Sequence, residues 1–120
     1  MPDPIADGLE DEIVDEIGNP LPDAVSRYTD IDPELFRAYR AYRSAILDVG
    51  VVPRKDKLLM AIAILTATKQ GDAMGMYASI ARREGATAAE VREALRVGVL
   101  FSGGPGIAAA AQTAVDYGAD

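Results

Sequence analysis

The chain contains no cysteine and no histidine. Without cysteine it can form no disulfide, no zinc thiolate and no thiol nucleophile. Without histidine it lacks the commonest general base near neutral pH and the commonest metal ligand. A metal site would need carboxylates alone, and no acidic pair sits at ligand spacing on an apolar face, so neither metal nor cofactor is expected. Long apolar runs are also missing: the longest, Leu58–Leu65, is eight residues, far below the roughly 20 that span a bilayer. The opening MPDPIADGLEDE has neither the basic nor the apolar region of a secretory signal. A cytoplasmic protein is therefore the expectation.

What is present is a normal globular balance, 49% hydrophobic and 26% charged in 120 residues, enough for one core. The charge is lopsided. Residues 1–34 carry eleven acidic groups and one arginine, a net of −10, and residues 35–120 eight acidic and eleven basic groups, a net of +3. Such an acidic protein is a poor ligand for nucleic acid or an anionic membrane. The acidic segment either lies on basic surface of this or a neighbouring subunit, or is a solvated arm.

The apolar residues recur at helical spacing, and no stretch alternates with period two. Ile5, Leu9, Ile13 and Ile17 mark a first amphipathic helix over Pro4–Ile17. A short helical piece is plausible at Asp23–Tyr28. Asp32-Pro33-Glu34 is a helix start, with a cap, an N-terminal proline and a first-turn acid. Leu35, Tyr39, Tyr42, Ile46 and Val49 then share one face, with Arg37, Arg40 and Arg43 away from its centre. Those arginines can clasp a carboxylate or the acidic arm. Pro53 opens a helix whose Leu58–Leu65 are apolar at every position, the mark of a central helix covered by others. Asp72 is expected to cap the next, with Ala73, Met76, Tyr77, Ile80 and Ala81 as its apolar face and Gly85 ending it. Thr87 and Glu90 form a capping box, followed by Val91, Ala94, Leu95, Gly98 and Phe101 as a buried face. An alanine-rich helix over about residues 105–117 closes the chain. The fold class is all-α, with five or six helices. The division read is an acidic arm over 1–31 and a helical domain over 32–120.

In order and spacing, RKDKLLMAIAIL (54–65), REGATAAEVREALRVGVLFSGGPG (83–106) and the trailing alanines resemble the carboxymuconolactone decarboxylase and alkylhydroperoxidase D-like family. The resemblance spans about Leu35–Asp116. It implies an all-α bundle that assembles into trimers or hexamers, with pockets near subunit contacts. Peroxidase members carry a Cys-x-x-Cys pair followed four residues later by a histidine. Counted back from Gly85, the histidine position falls on Tyr77, the cysteines on Gln70 and Ala73, and a catalytic glutamate on Leu58. A thiol peroxidase needs an attacking thiolate and a resolving thiol; Gln70 and Ala73 supply neither, so that cycle is excluded. The family's decarboxylases use a histidine at the Tyr77 position too. The chain thus resembles a branch with neither cysteine nor histidine, whose activity the resemblance does not fix.

Several expectations follow for the Pro53–Gly85 hairpin. Tyr77 can donate a proton or bond an oxyanion, but its reference pKa near 10 makes it a poor base; the bland alternative is a core aromatic. Lys69, Gln70, Asp72, Ala73, Met76 and Leu58 are the candidate lining of a pocket for a small organic ligand. Plain surface is the default for Lys69 and Gln70, and an N-cap for Asp72. Met60, Met74 and Met76 suit gap-filling or, with Tyr77 and Tyr42, an apolar lining. Gly103–Gly106 lacks the Lys-Ser/Thr and preceding strand of a phosphate loop and reads as a tight helix–helix turn. Three readings stay open: a ligand-binding protein, a non-catalytic structural or partner-binding homo-oligomer, and an acid–base enzyme using Tyr77.

Overall fold

The computed structural model describes residues 4–18, 27 and 30–112. These hold six helices and no strand: α1 (Pro4–Ile17), α2 (Pro33–Leu47), α3 (Arg54–Ala67), α4 (Gly71–Arg83), α5 (Ala88–Ser102) and α6 (Gly104–Gln112). The all-α expectation holds. Most of the helical piece read at Asp23–Tyr28, and the end of the last helix, lie outside the described residues. The chain divides into two compact units, Met1–Gly50 and Val51–Asp120.

In the first unit α1 packs on α2. Asp32 caps α2 by accepting from the Leu35 N–H at 3.0 Å. The acidic segment does find basic surface. Arg43 Nη1 donates to both Glu16 carboxylate oxygens, at 2.7 and 2.8 Å, and Arg40 Nη1 to one of them at 3.1 Å. Arg37 reaches Glu12 at 3.7 Å, a more exposed pair. The face shared by Leu35, Tyr39, Tyr42, Ile46 and Val49 is exposed, while Arg43 and Leu47 are buried. Phe36, Arg40, Arg43 and Leu47 form a second stripe, at four- and three-residue steps, which is the less exposed side of α2.

The second unit is built around α3, which touches α4, α5 and α6. Leu58, Ile62 and Thr66 are its buried edge. Thr66 satisfies its own hydroxyl by donating to the Ile62 carbonyl at 2.8 Å, so burial leaves it paired. The expectation that α3 is covered all round needs correction. Met60 and Ile64 are exposed, because three helices cover less than the whole circumference of a fourth.

The helices α3 and α5 run in the same direction. Lys55 meets Glu90 at their N-terminal ends, at 3.1 Å, and eight residues on, Ala63 meets Gly98. A Cβ on Gly98 would sit 2.5 Å from the Ala63 carbonyl oxygen and 2.7 Å from Thr66 Cβ. Only glycine permits that separation of the two backbones. The chain returns along α4, and its interior edge is in part the one expected. Ile80 and Ala81 are buried as anticipated, with Met74, Gly75 and Ala78 beside them, while Met76 and Tyr77 are half-buried. The small side chains let α4 approach closely, and the bulky pair is left at the rim. Gly85, at φ 96°, ends α4 as anticipated, and the Ala86 N–H returns to the Ala81 carbonyl at 2.9 Å. On α5, Val91 and Gly98 are buried, but Phe101, expected inside, is 78% exposed.

Replacing Gly98 with alanine is expected to push α3 and α5 apart and cost about 1–3 kcal/mol, as overpacking does. Thermal denaturation of Gly98→Ala beside wild type measures this; an unchanged midpoint would contradict the close approach.

Candidate functional site

Among the described residues, two of the cavities border α3. The first lies at the α3–α4 turn. Lys69 adopts a left-handed conformation, φ 62°, which costs a non-glycine residue roughly 1–2 kcal/mol. The turn holds it there: the Lys69 N–H bonds the Thr66 carbonyl at 3.2 Å and the Gln70 N–H the Leu65 carbonyl at 2.8 Å, the paired bonds of a Schellman ending. Gln70 is the N-cap of α4 and makes no side-chain cap bond; its amide donates instead to Thr68 Oγ1 at 2.9 Å. Asp72 is therefore not the cap that the sequence suggested. It sits in the first turn, where a carboxylate complements the helix dipole.

Lys69, Gln70, Gly71, Asp72 and Ala73 together line an open depression of about 390 Å³. Four of the candidate residues thus meet at one place. The other three do not join them. Leu58 is buried with 0% exposure, and Met76 and Tyr77 are half-buried residues of α4 outside the depression's lining.

The second cavity was not anticipated. It is an open groove of about 490 Å³ between α3 and α5, lined by Asp56, Leu59, Met60 and Ala63 on one side and Glu90, Glu93, Ala94 and Val97 on the other. Because the two helices are parallel, Asp56 and Glu90, both in first turns, come to the same end. The apolar residues follow one turn further on. The sequence carries one signal for this space: Ala63 and Ala94, small residues on two facing helices.

Glu90 is held at that end from two directions. Its carboxylate accepts from the Thr87 N–H at 2.9 Å, while the Glu90 N–H donates to Thr87 Oγ1 at 3.0 Å, completing the expected capping box. Lys55 Nζ lies 3.1 Å away. The Thr87 backbone bond, followed by the Lys55 hydrogen bond, lowers the Glu90 pKa below its ordinary 4.5. Among the described residues no group of three or more acids is arranged to hold a metal ion. Likewise, none of the described helices is long and apolar enough to cross a membrane.

The model of the carboxymuconolactone decarboxylase family matches residues 33–116. The chain belongs to that family. The match covers all of α2 to α6, so both cavities lie within the family domain. No curated protein and no solved structure matches the chain.

A folded pKa below the unfolded one stabilises the native state above the unfolded value, and the contribution disappears as pH falls through the folded value. Glu90→Gln should therefore be less stable than wild type at pH 7. The gap should close on acidification below about 4.5, the ordinary value for this carboxylate. Denaturant titrations of both proteins between pH 7 and pH 3 check this, and a gap independent of pH would contradict the assignment.

Proposed function

We propose that this member of the family binds a small organic molecule in the groove between α3 and α5. The observation that carries the reading is the groove itself: Leu59, Met60, Ala63, Ala94 and Val97 offer an apolar lining with a few polar groups at one end. That is the usual composition of a small-molecule site. The depression at Lys69–Ala73 is a weaker host for an apolar body, because polar and charged side chains supply most of its rim. Thiol peroxidase chemistry is outside this chain's means, since it has no thiol. An acid–base role for Tyr77 is the less supported proposal, as the phenol lines neither cavity.

The test is a fragment screen by NMR titration on wild type, Ala94→Leu and Gln70→Ala. Leucine at 94 fills the groove and should weaken aromatic or aliphatic fragments at least tenfold, whereas Gln70→Ala should leave them unchanged. The reverse pattern would move the site to the α3–α4 turn, and no binding by wild type would end the reading.

Self-association has its own support. Ile64, Leu100, Phe101 and Ile107, on the C-terminal part of α3, the end of α5 and the start of α6, are all more than half exposed. So many large apolar side chains in water favour a covering surface, and a homo-oligomer, trimeric or hexameric as the family resemblance implies, would provide one. Light scattering should return a multiple of the 12.7 kDa chain mass, and Phe101→Glu, at a site already in water, should reduce the assembly without unfolding it. A monomeric wild type would refute this.

A further inference from the structure

From the charge arrangement at the head of the α3–α5 groove, we infer that its ligand is an organic cation: an amine, guanidine or quaternary ammonium attached to an apolar body. The inference rests on the groove being a ligand site.

Three carboxylates, Asp56, Glu90 and Glu93, line the groove. Lys55 is committed to Glu90 at 3.1 Å, and no basic residue is among the groove's lining, Lys57, Arg92 and Arg96 of the same two helices lying outside it. Asp56 and Glu93 make no ion pair with any described residue. The N-termini of α3 and α5 also oppose the acids, each as about half a positive charge. The lining itself still carries three acidic side chains and no basic one. That end of the groove therefore repels anions and attracts cations.

The parallel course of α3 and α5 gives the site its polarity. Asp56 and Glu90 belong to the first turns, and Met60, Ala63, Ala94 and Val97 follow along the same two helices. A ligand with its charge at one end and an apolar tail matches this order, with the charged head at Asp56 and Glu93 and the tail along Met60 and Val97. A neutral apolar molecule would gain the second contact alone. Each exposed ion pair contributes about 0.2–1 kcal/mol, so two together give about a tenfold preference for a cation over its neutral analogue.

The experiment uses three probes with one apolar body: 4-phenylbutylamine, 4-phenylbutanol and 4-phenylbutanoate. Each is titrated by NMR at pH 7 and low salt into the full chain, into Asp56→Asn/Glu93→Gln and into Val97→Asn. The expected order on wild type is amine about tenfold tighter than alcohol, with the carboxylate weakest. In the Asp56→Asn/Glu93→Gln variant the amine should fall to within about threefold of the alcohol, whose own affinity stays unchanged. Raising the salt toward 1 M should also erase the preference, because both carboxylates are accessible to screening ions.

If alcohol and amine bind wild type equally, or the carboxylate binds best, the cation inference fails and the groove reading survives. If no probe binds wild type, both fail. If no probe binds and Val97→Asn splits an oligomer into monomers, the groove is occupied by a second copy of the chain, which overturns both.

Discussion

The contact of Gly98 with Ala63 and Thr66 sets the geometry of the second unit. Two parallel helices can come this close only where one lacks a Cβ, and everything near the groove follows from that register. It places Glu90 beside Lys55 and brings the first-turn acids of α3 and α5 to a common end. It also requires the chain to return along α4, whose buried residues combine the small Gly75, Ala78 and Ala81 with Met74 and Ile80. Gly106 repeats the device at the far end, where an added Cβ would meet Ser102 and, at 3.3 Å, the Thr66 carbonyl oxygen. Thr66 is thus pressed from α5 and from α6, and its hydroxyl stays paired within α3.

The first unit is organised by charge instead. Glu16 and Arg43 are nearly buried, with side-chain exposures of 12% and 9%. Removing charges from water is costly, so such a pair stabilises little relative to a well-packed apolar one, whereas losing one partner is expensive. Its value is orientation: it fixes which side of α2 meets α1. The consequence is an exposed stripe of Leu35, Tyr39, Tyr42 and Ile46 on the other side, which an apolar pairing would have turned inward.

Much of the fold was legible because helix boundaries are chemical events. Asp32, the Thr87–Glu90 box and Gly85 each satisfy orphan backbone groups in a way their side chains announce, and all three act as expected. Where a turn uses an unannounced residue, reading fails: Lys69 takes the left-handed position where glycine would be the signal, and the N-cap position falls on Gln70, which makes no side-chain cap bond, and not on Asp72. Apolar faces were recognised, but their fate was not. Periodicity says that a face is apolar and cannot say that a neighbour covers it, so Phe101 and Ile64, expected inside, are exposed. The site was harder still. Asp56 and Glu93 stand 37 positions apart in the sequence, and only the helix register makes them neighbours of one groove. By contrast Lys69, Gln70, Asp72 and Ala73 were legible as a group because one short turn holds them.

The interior also limits what chemistry the scaffold can support. Leu58 stands where the family resemblance places a carboxylate, and it is among the largest fully buried side chains. Burying such a leucine contributes about 1.5–3 kcal/mol. An ionised glutamate there would need a paired cation and hydrogen bonds to be tolerated, and among the described residues those buried in the second unit are apolar apart from Thr66. Position 58 is therefore committed to packing. The charged and polar groups that this unit can offer a ligand lie at the rims, in the α3–α4 turn and along the α3–α5 groove, and of those two places only the groove joins them to an apolar surface. The shape of the proposed site is in that sense a property of the helix register, and the residue that sets the register, Gly98, is not among the groove's lining.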